Sequence, residues 1–338
     1  MTLRWYLLRR LGLAAVTLVG VIFAVFFMTR VLPGDPASVK AGAYATEEAR
    51  AAIAREMGLD KPVPVQLTTY LGNILQGDFG TSTRSGQPVR QDLLSRLPAT
   101  VELALFSLML AALVGIPLGV WAAVRQGSRV DALVQQWTIL AAALPLFWFG
   151  LVLIYLFYHV WGIAPPPVGR LDLGIPPPPA ITGLYTVDAL LSGNWAAFRN
   201  ALAHLALPVL ALGVATMSPF IKVARSAMLD VMASDYVLAA RSLGFSEREV
   251  IWHDALKNAL IGLLTVAGIV LGYLLAGNVL VETIFAWPGI GFYAWNALTG
   301  SDYDAIQGFV LTIAIIYVFL NLAIDVAYSL IDPRIRLR

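Results

Sequence analysis

Long apolar stretches separated by charged segments dominate the pattern of hydrophobic and polar positions. Six stretches approach or exceed the roughly 20 residues that a helix needs to cross a bilayer. They are residues 11–28, 103–124, 132–160, 201–221, 258–281 and 305–324, and none contains Asp, Glu, Lys or Arg. Because a bilayer has no water to satisfy an open sheet, the pattern predicts an all-α integral membrane protein with six transmembrane helices.

The composition agrees with this prediction and excludes several functions. Only 13% of the 338 residues are charged and 59% are hydrophobic, whereas soluble domains carry roughly 25% charged residues. Lipid must therefore cover much of the surface. A net charge of +2 argues against binding to nucleic acid. The absence of cysteine excludes disulfides and thiolate metal sites, and three scattered histidines argue against a histidine metal site.

The distribution of basic residues predicts the orientation. Short basic segments precede the first stretch, follow the second and fourth, and end the chain, whereas residues 282–304 contain no Lys or Arg. The positive-inside rule then predicts that both termini are cytoplasmic. The first stretch has no small-x-small cleavage site after it, so we interpret it as an uncleaved anchor. Residues 31–98 and 161–200 become the outer loops.

Residues 222–257 form a charge-rich segment that is too long for a simple connection between helices. The pattern predicts a helix, a turn at Gly244, and a second short helix opened by a capping box of Ser246 and Glu249. One interpretation is a pair of helices packed at the membrane surface. The other is a docking element that fits a groove on a cytoplasmic partner.

No sequence motif indicates an energy source within the chain. A P-loop is absent, since none of the four lysines follows a glycine. Glu102 and Asp325 lie at the ends of apolar stretches and His204 lies one turn inside one, so we interpret all three as interface or packing residues. Asp302 and Asp304 form a D-x-D pair, which is a weak signal for a metal or glycosyl-transfer site. If the chain is a transporter, a partner supplies the energy.

A series of short motifs resembles one family over nearly the whole chain. In order they are YLLRRL (6–11), LPGDP (32–36), GLDKP (58–62), GDFG (77–80), RLPAT (96–100), WPGIG (287–291) and DPR (332–334). Together they resemble the permeases of binding-protein-dependent ABC importers, in the dipeptide, oligopeptide and nickel branch. The resemblance implies domains at residues 1–96 (anchor helix and outer loop) and 97–331 (transmembrane core with a coupling loop at 222–257), and a cytoplasmic tail at 332–338.

The segment around Gly244 resembles the coupling loop of that family, written E-A-A, three residues, then G. Ala239 and Ala240 match the alanines, whereas Leu238 stands at the glutamate. Asp254 and Gly262 stand at a usual histidine and a usual proline. The coupling residues implied by the resemblance and the capping pattern are Tyr236, Ala239, Ala240, Arg241, Gly244, Ser246, Glu249 and Leu256.

The resemblance also implies a type-1 ABC importer (MetI-like) permease fold and a non-catalytic role. Such a permease pairs with a second, related permease, so a heterodimer is expected. Two cytoplasmic ATPases bind ATP and Mg, and an extracytoplasmic solute-binding protein delivers the cargo. The expected location is the cytoplasmic membrane of a bacterium or archaeon. Dipeptides, longer peptides, glutathione, nickel complexes and some sugars all remain open as cargo.

Polar residues within the apolar stretches are candidates for the translocation pathway: Ser218, Asn278, Gln307 and Asn321. Two alternative functions remain open from the residues alone. The first is a gradient-driven transporter or channel that works without partners. The second is a membrane enzyme whose outer loops act through Asp302 or Asp304. The missing P-loop and the long segment at 222–257 favour the partnered transporter over both.

Overall fold

The computed structural model describes residues 3–31, 36–42, 45–56 and 58–331, and these residues form helices and connecting turns without a named strand. Most of the LPGDP motif, the DPR motif and the predicted tail at 332–338 lie outside them. The helices are α1 (Leu3–Val31), α2 (Pro36–Ala41), α3 (Glu47–Glu56), α4 (Val63–Leu75), α5 (Val89–Val124), α6 (Arg129–Ala143), α7 (Leu146–Leu153, continued by a π-helix, Ile154–Val160), α8 (Tyr185–Leu191), α9 (Trp195–Met232), α10 (Asp235–Ser242), α11 (Glu247–Glu249, continued by a π-helix, Val250–Ala255), α12 (Leu256–Gly277), α13 (Val279–Ile284), α14 (Ile290–Thr299) and α15 (Tyr303–Ile331).

Four helices, α1, α5, α9 and α15, are each long and apolar enough to cross a membrane. Two bent pairs raise the number within the described ranges to six if each pair forms one crossing: residues 129–143 with 146–160, bent by 98°, and residues 247–260 with 262–276, bent by 56°. The predicted all-helical membrane class is therefore confirmed. The third predicted stretch, 132–160, is not a straight helix.

Pro145 explains the break in that stretch. It lacks a backbone N–H, and its ring restricts the preceding residue to extended backbone. Leu144 is extended, with φ −68° and ψ 124°, and Pro145 begins the next helix as its N-cap. By contrast, α5 and α9 continue through their internal prolines, because a long helix that packs on both sides can absorb a local loss of hydrogen bonding.

Helices α5 and α9 run in parallel at the centre of the fold. Two glycines of α5 allow the close approach: a Cβ on Gly115 would lie 2.9 Å from the Cβ of Phe220, and one on Gly119 would lie 2.6 Å from the Cβ of Ala224. Small residues at such contacts let helices pack closely in lipid. Leu205, Leu212, Phe220 and Ile221 are almost fully buried and form the core here.

The length of α5 separates two ends of the molecule. Near its first residue, Val89 and Leu93 pack against Ile290 and Tyr293 of α14. Near its last residue, Val120 packs in a separate cluster with residues of the segment that follows α10. We call the first end the loop end (residues 58–88, 161–194 and 285–302) and the second the coupling end (residues 125–128 and 233–255).

Helix α1 lies outside this core, against α15. Arg10 of α1 forms an ion pair with Asp325 of α15, with Nη2 3.0 Å from Oδ1. Phe26 is buried, and its ring centroid lies 5.5 Å from that of Tyr70 in α4. The ion pair agrees with the interpretation of Asp325 as an interface or packing residue, since it joins α15 to α1. Most side chains along α1 are exposed, as expected for a helix that faces lipid.

Candidate functional site: the coupling end and its supports

The coupling end contains the helix, turn and second helix that the sequence predicts. Helix α10 ends at Ser242, and Gly244 follows with φ +85°. The Gly244 N–H donates to the Arg241 carbonyl at 3.0 Å, and the Phe245 N–H donates to the Ala240 carbonyl at 3.3 Å. These two bonds form a Schellman motif, in which the left-handed residue is favoured by glycine. The predicted turn at Gly244 is confirmed.

The predicted capping box opens the next helix. The Ser246 hydroxyl accepts from the Glu249 N–H at 3.3 Å, and the Glu249 carboxylate accepts from the Ser246 N–H at 3.0 Å. An ion pair spans the turn: Arg241 Nε lies 2.9 Å from Glu247 Oε1, and a second bond joins the same two groups. The turn is thus fixed from both sides, which makes the two helices one rigid unit.

The interior of the coupling end attaches this unit to the membrane helices. Val237 of α10 is fully buried. The Tyr236 hydroxyl accepts from the Asn258 amide of α12 at 2.8 Å. Ile251 and Ala255, on the π-helix, pack in one cluster with Val120 of α5 and with Met228 of α9. A displacement of this unit would therefore reach α5, α9 and α12 through direct packing.

Large apolar side chains of the same unit are also exposed. The exposures are 44% at Tyr236, 52% at Leu238, 77% at Leu243, 54% at Phe245 and 49% at Trp252. Among the other predicted coupling residues, Ala239, Ser246 and Glu249 are exposed, whereas Ala240, Arg241 and Leu256 are half-buried. Exposed apolar side chains gathered around a rigid turn are typical of a docking surface.

A second support at the coupling end was not predicted. Asp131 of α6 is buried and accepts two hydrogen bonds from Arg225 of α9: Nε–Oδ1 is 2.7 Å and Nη2–Oδ2 is 2.8 Å. The same carboxylate accepts from the Gly127 N–H at 3.0 Å and from the Gln135 amide at 2.9 Å. In the sequence, Arg225 is one of several basic residues near a membrane boundary, and that local signal does not reveal its partner.

The four pathway candidates are not brought together in one cavity. Ser218 is buried within α9. Asn278 is buried at the break between α12 and α13, and neither its amide nitrogen nor its amide oxygen has a hydrogen-bond partner among the described residues. Gln307 is half-buried on α15, and Asn321 is exposed there with its amide bonded to the Tyr317 carbonyl. Of the four candidates, Asn278 is therefore the residue whose buried polar atoms lack hydrogen-bond partners among the described residues.

The loop end contains a buried ion pair between two distant segments. Arg170 Nη2 lies 2.6 Å from Glu102 Oε2, with side-chain exposures of 7% and 1%. Thr186 donates to the same carboxylate through its N–H and its hydroxyl, both at 2.7 Å. The guanidinium of Arg170 also stacks 3.5 Å from the Tyr185 ring centroid. The interpretation of Glu102 as a packing residue is thus confirmed, and the residue joins α5 to the second outer loop.

His204 has a similar structural role. Its Nε2 lies 3.1 Å from Asp172 Oδ1, and Asn200 donates to the other oxygen of that carboxylate. The two hydrogen bonds lower the pKa of Asp172 below its usual value, with the Asn200 bond contributing most. These contacts confirm the interpretation of His204 as a packing residue. They join α9 to the second outer loop, which contains Asp172.

The RLPAT and WPGIG motifs lie in contact at the loop end. The Trp287 indole N–H donates to the Ala99 carbonyl at 2.9 Å, and the Ile290 N–H donates to the Thr100 hydroxyl at 2.9 Å. Thr100 in turn donates to Glu282, which is fully buried and also accepts from the Phe292 N–H at 2.9 Å. The sequence presents these motifs as separate marks of resemblance, and the structure shows them as one buried network.

The architecture defines a polytopic membrane protein in which a rigid helix pair emerges from the end of a packed helical core. Residues 115–337 match the family described as "Binding-protein-dependent transport system inner membrane component". Residues 2–104 match the N-terminal region of the membrane components of the same transport systems. The chain belongs to this family of inner-membrane components, so it is a non-catalytic permease subunit of an ABC importer. The gradient-driven and enzymatic alternatives are wrong.

Curated relatives of known description are similar along the whole chain. The probable D,D-dipeptide transport system permease protein DdpB of Escherichia coli K12 is 42% identical over 332 residues, covering 98% of this chain and 97% of the relative. The di/tripeptide transport system permease protein DppB of Pseudomonas aeruginosa UCBPP-PA14 is 40% identical, covering 98% of both. The dipeptide permease DppB of Escherichia coli K12 is 37% identical.

A solved structure supports the predicted fold. The structure of the MetNI methionine ABC transporter, in an inward-facing conformation, contains a chain that aligns with a TM-score of 0.52 at 16% sequence identity. The alignment covers 69% of this chain and 93% of that chain. The MetI-like permease fold is therefore confirmed.

Proposed function

We propose that this chain is the translocation subunit of an ATP-driven importer for dipeptides or other short peptides. The observation that carries the proposal is the rigid, exposed helix pair at the coupling end, because a chain without its own ATPase needs a contact through which a partner can move it. The dipeptide and di/tripeptide cargo named for the relatives supports peptides as the substrate class.

The proposal includes the partners and the orientation. The coupling end lies in the cytoplasm, where two ATPase subunits bind ATP and Mg and dock on the face around Gly244. A second, related permease completes the membrane pathway, and a solute-binding protein delivers peptide to the loop end. Both chain termini are cytoplasmic. Basic residues at and near the coupling end, such as Arg125 and, on α9, Lys222, support this orientation through the positive-inside rule.

Substitution of Gly244 tests the docking role. No atom lies within 4 Å of a Cβ built at Gly244, so a new side chain has space, but φ is +85°. Aspartate there would strain the turn and add a charge to the docking face. We expect Gly244→Asp to abolish peptide uptake while membrane insertion and intrinsic ATPase activity persist, which is the uncoupled phenotype.

Two control variants make the result specific. Gly193→Asp places the same side chain at a glycine of similar φ, +68°, with equally open surroundings at the loop end. Gly244→Asn keeps the turn more easily, because asparagine tolerates left-handed backbone. We expect near-normal uptake in Gly193→Asp and intermediate uptake in Gly244→Asn. Normal uptake by Gly244→Asp would contradict the docking role.

A further inference from the structure

A polar cavity of about 180 Å³ lies at the loop end, and none of the residues that line it is a coupling residue or one of the four pathway candidates. It is partly open to the surface and is bordered by the turn before α5, the start of α5, α14 and the turn before α15. The residues that line it are Ser82, Arg84, Ser85, Arg96, Tyr293, Asn296, Ala297 and Asp302. Neither the family resemblance nor the coupling mechanism assigns a role to this cavity.

The carboxylates at the cavity already have donors. Asp302 accepts from the Ser82 hydroxyl at 2.6 Å and from the Ala305 N–H at 3.2 Å. Asp92, just behind the lining, accepts from the Ser85 hydroxyl at 2.6 Å. The two serine protons are therefore directed at protein carboxylates. Asp302, the first residue of the D-x-D pair, therefore acts as a structural acceptor.

Two guanidinium groups at the cavity have no carboxylate partner. Arg96 Nε is buried and has no hydrogen-bond partner, and neither the Arg96 nor the Arg84 guanidinium forms an ion pair among the described residues. The Arg84 side chain is exposed and donates one long hydrogen bond, of 3.5 Å, to the Asn296 carbonyl, while its backbone N–H donates to Asp302 at 3.4 Å. The hydroxyl of Tyr293, a residue 6% exposed, lies near Ser82 but makes no hydrogen bond of ordinary geometry within the described part of the chain.

The Tyr293 hydroxyl stays protonated and is therefore available as a donor. Burial raises its pKa well above the usual value, and the charges of Asp92 and Asp302 raise it further. The Arg96 guanidinium lies over the Tyr293 ring, 5.4 Å from its centre, so the two side chains are neighbours. A buried donor without an acceptor is costly, so a ligand that supplies acceptors here would be bound favourably.

We propose that this cavity binds a carboxylate group through Arg96, Arg84 and the Tyr293 hydroxyl. The planar fork of a guanidinium matches the two oxygens of a carboxylate. Cavities that enclose a whole drug-sized ligand usually have roughly 300–1,000 Å³, so this one accepts a terminal group rather than an extended peptide. The inference deepens the proposed function, since the C-terminal carboxylate of a peptide is one source. An acidic side chain of an external protein is the other.

Modification of the arginines by methylglyoxal tests the proposal on the full chain in lipid nanodiscs, together with the subunits that co-purify. Mass spectrometry would follow the labelling rates of Arg84 and Arg96. Arg90 provides a reference in the same molecule, because it is an exposed residue of α5, the helix that also carries Arg96, and does not line the cavity. The probes are acetate, the dipeptide Ala-Ala and its C-terminal amide.

We expect Ala-Ala to slow the labelling of Arg84 and Arg96 without affecting Arg90, and the amide to have no effect. If Ala-Ala protects the arginines at a concentration at least tenfold lower than acetate does, a peptide is the source of the bound carboxylate. Equal protection by both would identify a site that recognises the carboxylate alone, which suits a protein side chain. The proposal would be overturned if neither Ala-Ala nor acetate protected the two arginines, or if the amide protected them as well as Ala-Ala does.

Tyr293→Phe provides a second measurement that preserves the ring and its packing. It removes one donor to a charged acceptor, so the half-protecting concentration should rise about tenfold or more. An unchanged concentration would remove Tyr293 from the site. Because none of these readouts uses ATP hydrolysis or uptake, a failure here is distinguishable from a failure of the importer proposal, which the Gly244 variants test separately.

Discussion

The Thr100 hydroxyl donates a hydrogen bond of 2.6 Å to the buried carboxylate of Glu282, across 182 positions of the chain. This bond joins the start of the central helix α5 to the short helix α13, and the N–H of Ile290 adds α14 to the same hydroxyl. Because the loop-end helices meet at these two side chains, the contact fixes how the outer loops sit on the membrane core.

The first prediction is a pH dependence of stability due to Glu282. Burial raises the pKa of Glu282 from 4.5 to about 7. The hydrogen bonds from Thr100 and from the backbone favour the charged form and lower the pKa, but the effect of burial is larger. The folded protein therefore holds a proton that the unfolded chain releases, and stability is highest below the unfolded pKa. We expect the unfolding temperature to decline as pH rises from about 4.5 to about 7.

Glu282→Gln is the matched variant for this measurement, because it removes the titration and keeps the shape. In detergent, the unfolding temperature of this variant should decline less steeply between pH 4.5 and pH 7 than that of the wild type, because the contribution of Glu282 is missing. Asp172 provides a contrast: its lowered pKa adds stability above its unfolded pKa, and this is lost as pH falls through the folded value. A Glu282→Gln profile parallel to that of the wild type would contradict the assignment.

Gly289→Ala should destabilise the protein by steric conflict with Glu282. A Cβ on Gly289 would lie 2.4 Å from the Glu282 carboxylate carbon, closer than any real contact. Overpacking of this kind typically costs roughly 1–3 kcal/mol. Chemical denaturation of the purified chain would measure the loss. Gly174→Ala is the control, since no atom lies within 4 Å of its Cβ, and an equal effect in both variants would exclude a specific clash.

The Glu102–Arg170 pair predicts a non-additive response to substitution. Arg170→Met would leave the Glu102 carboxylate buried without its cation, and breaking such a pair typically costs roughly 3–5 kcal/mol. Glu102→Gln combined with Arg170→Met removes both charges and should recover part of that loss. The free energy of unfolding of the two single variants and the double variant forms the cycle. Strict additivity would show that the pair does not act as a unit.

The sequence predicts what depends on local pattern. Apolar length gives the membrane helices, and Gly244, Ser246 and Glu249 give the turn and cap of the coupling end, because these signals lie within a few residues of each other. Pro145 is visible in the sequence as a residue that disfavours a continuous helix, but it does not give the size of the bend, which is 98°. Long-range pairs had no such signal. Glu102 and Arg170 are 68 positions apart, and nothing near either residue indicates the other.

The coupling end gives the last prediction, which concerns Asp131 and Arg225. Arg225 holds Asp131 by two parallel hydrogen bonds, a geometry that the single ammonium of lysine does not reproduce. Arg225→Lys should therefore lower the stability by roughly 1.5–3 kcal/mol, the range for hydrogen bonds to charged groups. Arg129→Lys is the control, because Arg129 is an exposed arginine of α6 without a described partner.

The same pair also bears on coupling, because Arg225 lies on the last turns of α9, before the docking unit at α10. If the pair keeps α6 and α9 together while the ATPases move α10, its loss should reduce uptake more than ATP hydrolysis. Proteoliposomes that contain the complete complex allow both rates to be measured on one sample. A fall in uptake per ATP hydrolysed in Arg225→Lys, with no change in Arg129→Lys, is the expected result. Equal losses in both rates would show that the pair supports folding alone.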